Sequence, residues 1–322
     1  MRGDVMKKIT PIVTILCLML SLFALAGCDS SSGSNNSSNT QSSSPAFNYD
    51  GSIEETVLVD NDVLKVVARQ LTYENNQALL DLSITNKTGV NLSVAASTLA
   101  YPANYINSYM VPGGWFNEEV PSGETIATES IYSLDELRMY GIRSINELGI
   151  GIYATDDNYD TVYQDVSSIK TSLGDNNSDT SFNEAINDSL IQELLGATVK
   201  NTTTNIGTLT YNGLKFNAAT LVKNSDGDYA LMYEVENSTD IPMSIPVTTL
   251  NINGQLVYEY QLSGVYLEPG KKRVDTIDLS YYLEDAGMSD INDSINEVSF
   301  SYSIHDEKNN TLAGETQCNF AF

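Results

Sequence analysis

The chain has 322 residues, 41% apolar and 18% charged, with 16 Lys+Arg against 42 Asp+Glu, a formal net charge of −26, 3 Cys and 1 His. That length holds about two domains of roughly 150 residues, each able to bury its own core without disulfides. The charge repels nucleic acid. One His and scattered Cys cannot supply a four-ligand structural zinc site, and they leave little for a His-based triad or thiol redox chemistry.

Lys7-Lys8 is followed by an apolar run from Ile9 to Ala26 that Pro11 interrupts and small residues close. This is a charged n-region with a short h-region. From Ile12 the run is shorter than the roughly 20 residues that span a bilayer, so a secretory signal is expected over residues 1–27, not a permanent transmembrane helix. Initiation at Met1 or at Met6 gives the same outcome.

The run ends in Leu25-Ala26-Gly27-Cys28, which resembles the lipobox of bacterial lipoproteins. The resemblance implies a diacylglycerol on the Cys28 thiol, cleavage before that residue, and a protein held at the membrane by its lipid. In a single-membrane bacterium, the expected host, this puts the chain on the extracellular face of the cell membrane; in a host with two membranes the resemblance implies that Asp29, directly after the modified Cys, favours inner-membrane retention. From Asp29 to Ser44 the residues after the Asp are Ser, Asn, Gly, Thr and Gln, with no aromatic or aliphatic side chain. Such a segment buries too little apolar surface to offset its ordering entropy, so residues 28–50 are expected to form a disordered tether.

The rest of the chain repeats itself. Ser144-Ile145-Asn146-Glu147 recurs as Ser294-Ile295-Asn296-Glu297, and Leu64-Lys65 as Leu214-Lys215. Between these anchors Leu80, Leu82, Ile84 and Asn86 correspond to Leu231, Tyr233, Val235 and Asn237. The period inside each copy is 2. Leu148, Ile150 and Ile152 alternate with Gly149, Gly151 and Tyr153, and Val298, Phe300, Tyr302 and Ile304 alternate with Ser299, Ser301, Ser303 and His305, which predicts strands with one wet face. Asn212-Gly213, Asp226-Gly227 and Asn253-Gly254 are hairpin signals.

Ser133-Leu134-Asp135-Glu136 predicts a capped helix stopping at Gly141, with its counterpart from Ser280 to Gly287. Ser181-Phe182-Asn183-Glu184 opens one amphipathic linker helix that runs to Gly196. The expected fold is therefore all-β: two tandem immunoglobulin-like antiparallel β-sandwich domains over 51–172 and 198–322. Each carries one short crossover helix, and 173–197 is the linker. A small closed barrel is the competing architecture. Duplication predicts that the copies superpose, helix included, and a single fused sheet would overturn it. The arrangement resembles surface lipoproteins of single-membrane bacteria that carry such modules.

The chemistry-bearing residues offer little. Asp175, Asn177 and Asp179 begin like a calcium loop, but Thr180 stands where Gly is required and Ile186 where a bidentate Glu is required. Asp156 to Asp160 fails at Thr161 in the same way and reads as a hairpin tip. His305 lies on the wet phase of its strand without an oxyanion loop. Cys318 shares a phase with Phe320 and Phe322 and reads as a buried small hydrophobe. Paired carboxylates are the catalytic class that composition leaves open. The most aromatic irregular stretch is Tyr101, Tyr105, Tyr109, Trp115 and Phe116; these rings read first as caps on the open edge of the sandwich, and the competing reading, a binding module for a glycan or protein ligand, predicts them exposed as one patch.

These readings call for a membrane-anchored, non-catalytic module for binding, adhesion or envelope organisation, without catalytic, metal or cofactor residues. A surface glycan hydrolase using two carboxylates and an accessory subunit of a transporter or wall-assembly complex are the alternatives.

Overall fold

The structure, a computed structural model, describes residues 46–96, 103–176, 178–204, 206, 211, 213–289 and 294–322. Phe47 is buried, its ring 5.3 Å from that of Tyr49 and 6.2 Å from that of Tyr73, and Asn48 makes a parallel bridge with Ser144. The fold therefore takes up the chain before residue 51. The tether expected through residue 50 is shorter, because burying a phenyl ring, worth about 2 kcal/mol, offsets the ordering of its neighbours.

In the first copy β1 (Thr56–Asp60), β2 (Leu64–Glu74), β3 (Gln77–Asn86), β4 (Leu92–Ala95), β5 (Tyr105–Ile106), β6 (Tyr109–Met110), β7 (Asn117–Val120) and β8 (Thr125–Ser133) lead to α1 (Leu134–Met139), then β9 (Glu147–Asp156) and β10 (Thr161–Lys170). One sheet has the order β1-β2-β3-β8; facing it, β7-β4-β9-β10 carries the short β5-β6 hairpin on the first part of β9. After α2 (Phe182–Ile186) and α3 (Ser189–Leu195) the second copy runs β11 (Ala197–Thr203), β12 (Leu214–Asn224), β13 (Tyr229–Asn237), β14 (Met243–Ile252), β15 (Gln255–Leu267), β16 (Lys272–Asp278), α4 (Leu279–Asp285), β17 (Glu297–His305) and β18 (Thr311–Ala321). Its sheets are β11-β12-β13-β16 and β15-β14-β17-β18.

The strand orders match, with β4 and β5 together in the place of β14 and β6 and β7 together in the place of β15. The class is all-β, built from immunoglobulin-like sandwiches. Each path of hydrogen-bonded strands among the described residues has two ends, which decides against the closed barrel. The sheets of the two copies are not wholly separate. Lys272 of β16 pairs in parallel with Tyr109 of β6, making one ten-stranded sheet. The sharing is confined to that pair, and on either side of it the repeat order is kept.

Two apolar clusters fill the sandwiches. The first also takes in Ala218, Val222, Met232 and Val274 from the second copy, so the sheet β11-β12-β13-β16 is covered on both faces. Three sequence expectations are corrected here. The linker is two helices, because Asp188 caps a new start after Asn187. The helix of the second copy is capped by Asp278, whose carboxylate accepts from Tyr281 N; Ser280 is buried and its Oγ accepts from Tyr229 N. The glycine face of β9 is dry, since the Tyr105 ring lies where a Cβ on Gly149 would stand.

Candidate functional site

The expected aromatic patch divides in two. Tyr105, Tyr109 and Phe116 are buried, Tyr101 lies outside the described residues, and of the four described Trp115 alone is exposed, at 64%. The expectation of one exposed patch is thereby corrected. Tyr105 and Tyr109 sit on a hairpin pressed between the copies, where their area is worth more to packing than to a ligand.

Trp115 is held by its neighbours. Gly114 has φ +81° and rests on the Tyr132 ring, which a Cβ would overlap. Its N–H donates to Ile131 O at 2.7 Å, and its carbonyl accepts from Ser130 Oγ at 2.6 Å. Asn104 Nδ2 donates to Gly113 O at 3.0 Å, and Ala96 N to Phe116 O at 3.0 Å. The loop is thus tied down on both sides of Trp115, with the Phe116 and Tyr132 rings beneath it in the core. An exposed indole on a fixed backbone can stack on a sugar or insert into a partner's pocket with little ordering entropy left to lose.

The other rings build the junction. Tyr109 Oη donates to the buried Glu234 carboxylate, which also accepts from Asn217 Nδ2 at 2.8 Å and lies 3.8 Å from Lys272 Nζ. Tyr105 Oη donates to Glu147 Oε1 at 2.8 Å. Lys271 Nζ stands 3.5 Å from the Tyr105 ring centroid and donates to Asn107 O at 2.8 Å. Burial holds the Lys271 ammonium below its usual range, and burial with Glu147 pushes the Tyr105 phenol up. Tyr140 stacks on Tyr109 and donates to Glu136 Oε1 at 2.9 Å. The acids gathered here are bound to phenols, amides and ammonium groups of the junction itself.

The remaining candidates are structural. Asp179 accepts from Arg143 N and Asn107 Nδ2, and Asn177 lies outside the described residues. Asp156 Oδ1 accepts from Asn158 N and Asp160 N, which closes a turn. His305 is half-buried, not exposed, with Nε2 2.8 Å from Ser303 Oγ. Cys318 is buried, and burial pushes its thiol up to about 12.

Sequence reading missed the Lys271-Lys272-Arg273 run, although three consecutive cations in so acidic a chain are a signal. It also missed Tyr258, Tyr260, Tyr281 and Tyr282, which meet on β15 and α4.

No family model matches the chain. No curated protein matches it either. Among solved structures, a bacterial ice-binding adhesin studied for host cell surface retention is 12% identical with a TM-score of 0.19, over 75% of this chain and 56% of that one. A protein of unknown function from Porphyromonas gingivalis W83 is 10% identical with a TM-score of 0.21, over 76% of this chain and 91% of that one. The exo-chitosanase CsxA of Amycolatopsis orientalis is 13% identical with a TM-score of 0.20, over 77% of this chain and 26% of that one. The chain spans just over half of the adhesin structure, and similarity at this level assigns neither activity nor ligand.

Proposed function

We propose that the chain is a lipid-anchored surface lipoprotein that binds a wall glycan or a protein partner without catalysis, through Trp115. On this reading residues 1–27 are a signal peptide, Cys28 carries the lipid, and tandem immunoglobulin-like domains joined through 173–197 stand outside the cell membrane of a single-membrane bacterium. The observation that carries the reading is the clamped Gly113-Gly114 turn, which presents the sole tryptophan of the sequence to solvent. The lipobox-like Leu25 to Cys28 and the polar segment after it support the anchor.

Two measurements test it. Cells labelled with a palmitate analogue should give a labelled protein, and Cys28→Ser should abolish the label; label retained in that variant sinks the anchor. The processed chain in detergent should retain wall glycan fragments or a surface partner with a shift in Trp115 emission, and Trp115→Ala should lose retention. Retention equal in both forms, or absent in both, rejects Trp115 as the contact.

A further inference from the structure

The junction shows what the edge of this sandwich accepts. In the first copy the edge at β6 is occupied by an extended, basic strand, the start of β16: Lys272 N donates to Ser108 O at 2.7 Å, Lys271 Nζ lies over the Tyr105 ring, and Lys272 Nζ is 5.8 Å from the Tyr109 centroid. Behind Tyr109 stands Tyr140, the residue after α1. Backbone pairing and cations on tyrosine faces act together there.

The equivalent edge of the second copy is β15, whose one strand partner among the described residues is β14. It carries tyrosines as well. Tyr258 and Tyr260 alternate on this strand with ring centroids 5.7 Å apart, Tyr282 of α4 backs Tyr258 at 4.8 Å, and Tyr281 meets Tyr282 edge-on at 5.2 Å. Tyr260 is 66% and Tyr281 46% exposed, and Leu256 beside them is exposed too. Neither β15 nor α4 contains a Lys or Arg, while Glu259 of β15 and Glu284 and Asp285 of α4 are exposed on the same two elements. Elsewhere Lys271, Lys272, Lys223 and Arg138 each cover an aromatic face. Among the described residues, no Lys or Arg lies over any of the four tyrosines at this edge.

We infer that the β15 edge is a binding site for an extended basic segment of a partner protein, added as a strand with Lys or Arg side chains on Tyr258, Tyr260 and Tyr281. Strand addition supplies main-chain hydrogen bonds, the alternation of the rings selects cations at every second position, and the exposed acids of β15 and α4 favour the same charge. A second copy of this chain is a poor occupant, since its own three-cation run is already used at the junction.

The test uses the processed full chain in detergent and a blocked ten-residue peptide of alternating lysine and threonine, titrated calorimetrically at about 0.15 M salt. Saturable one-to-one binding is expected, with alternating glutamate and threonine not binding. Tyr260→Ser with Tyr281→Ser, both exposed and so compatible with folding, should weaken the peptide by about tenfold or more. N-methylation of every second peptide bond should weaken it as much, because it removes the strand's donors. Trp115→Ala should leave peptide binding unchanged, which separates this site from the Trp115 contact. Affinity unchanged by the tyrosine pair, equal binding of the N-methylated peptide, or binding of an amino-sugar oligomer in place of the peptide would each overturn the assignment.

Discussion

Asn107 and Asn253 occupy the tips of equivalent hairpins in the same left-handed conformation, φ 53° and 52°, and do the same work. The Oδ1 of Asn107 accepts from Asn146 N and Glu147 N, and that of Asn253 from Asn296 N and Glu297 N; the Nδ2 groups donate to Ser144 O and Ser294 O. The recurrent Ser-Ile-Asn-Glu motif is thus the socket for a hairpin asparagine. Asn86 and Asn237 repeat in like fashion, each buried, each accepting from the Thr two residues on, and each donating to the carbonyl four residues on.

Replacing Asn253 separates its two contributions. Asn253→Gly keeps the left-handed backbone and loses the bonds, so it should destabilise by about 1–3 kcal/mol in urea titration. Asn253→Ala should cost about 1 kcal/mol more, the added penalty of a Cβ at positive φ. Equal losses in the two variants would show that the backbone conformation contributes nothing.

The all-β class, the repeat and most strands were legible because period-2 patterns and hairpin signals are local. Asp226-Gly227 and Asn253-Gly254 turn where expected, while Asn75-Asn76 turns with φ 48° and 61° without any glycine to mark it. The junction was illegible for a physical reason. Lys271, Lys272 and Glu234 in one copy act on Tyr105 and Tyr109 in the other, so the residues that join the copies are those in which the copies differ. Tyr105 and Tyr109 look like surface aromatics until the second copy covers them. Trp115 escapes cover because Gly114 holds the loop against β8.

The Tyr109 to Glu234 bond should be energetically coupled. Tyr109→Phe strips a donor from a buried carboxylate, and Glu234→Gln removes the charge that makes the loss expensive. A double-mutant cycle should return a coupling of about 1–3 kcal/mol. Additive effects would mean that the Tyr109 to Glu234 bond adds nothing to the joining of the copies.

The junction should also respond to pH. Burial pushes the Glu136 carboxyl up to about 7 from its ordinary 4.5, against the lowering effects of the Tyr140 hydrogen bond and the Arg273 charge. A carboxyl whose folded pKa is raised favours the folded state when protonated, so its contribution is complete below 4.5 and is lost as pH climbs through about 7. Glu136→Gln should flatten this dependence and exceed the parent at pH 8 by about 1–3 kcal/mol, reduced toward the low end by the partial exposure of the residue. Parallel stability profiles for parent and variant between pH 5 and 8 would exclude Glu136 as the titrating group.

Gly114 is the most economical test of how Trp115 is displayed. A methyl group there meets the Tyr132 ring, and φ +81° is strained for any side chain, so Gly114→Ala must lift the turn from β8. The Gly114 N to Ile131 O and Ser130 Oγ to Gly114 O bonds would go with it. The expected loss is about 1–3 kcal/mol of stability, together with lower steady-state anisotropy of tryptophan emission, which reports Trp115 alone. Because Trp115 itself is untouched, ligand affinity should fall through lost order in the loop, with the indole still present. A variant that unfolds at the parent's midpoint with unchanged anisotropy would show that the glycine turn does not fix the indole, and the display of Trp115 would then rest on other contacts of the loop.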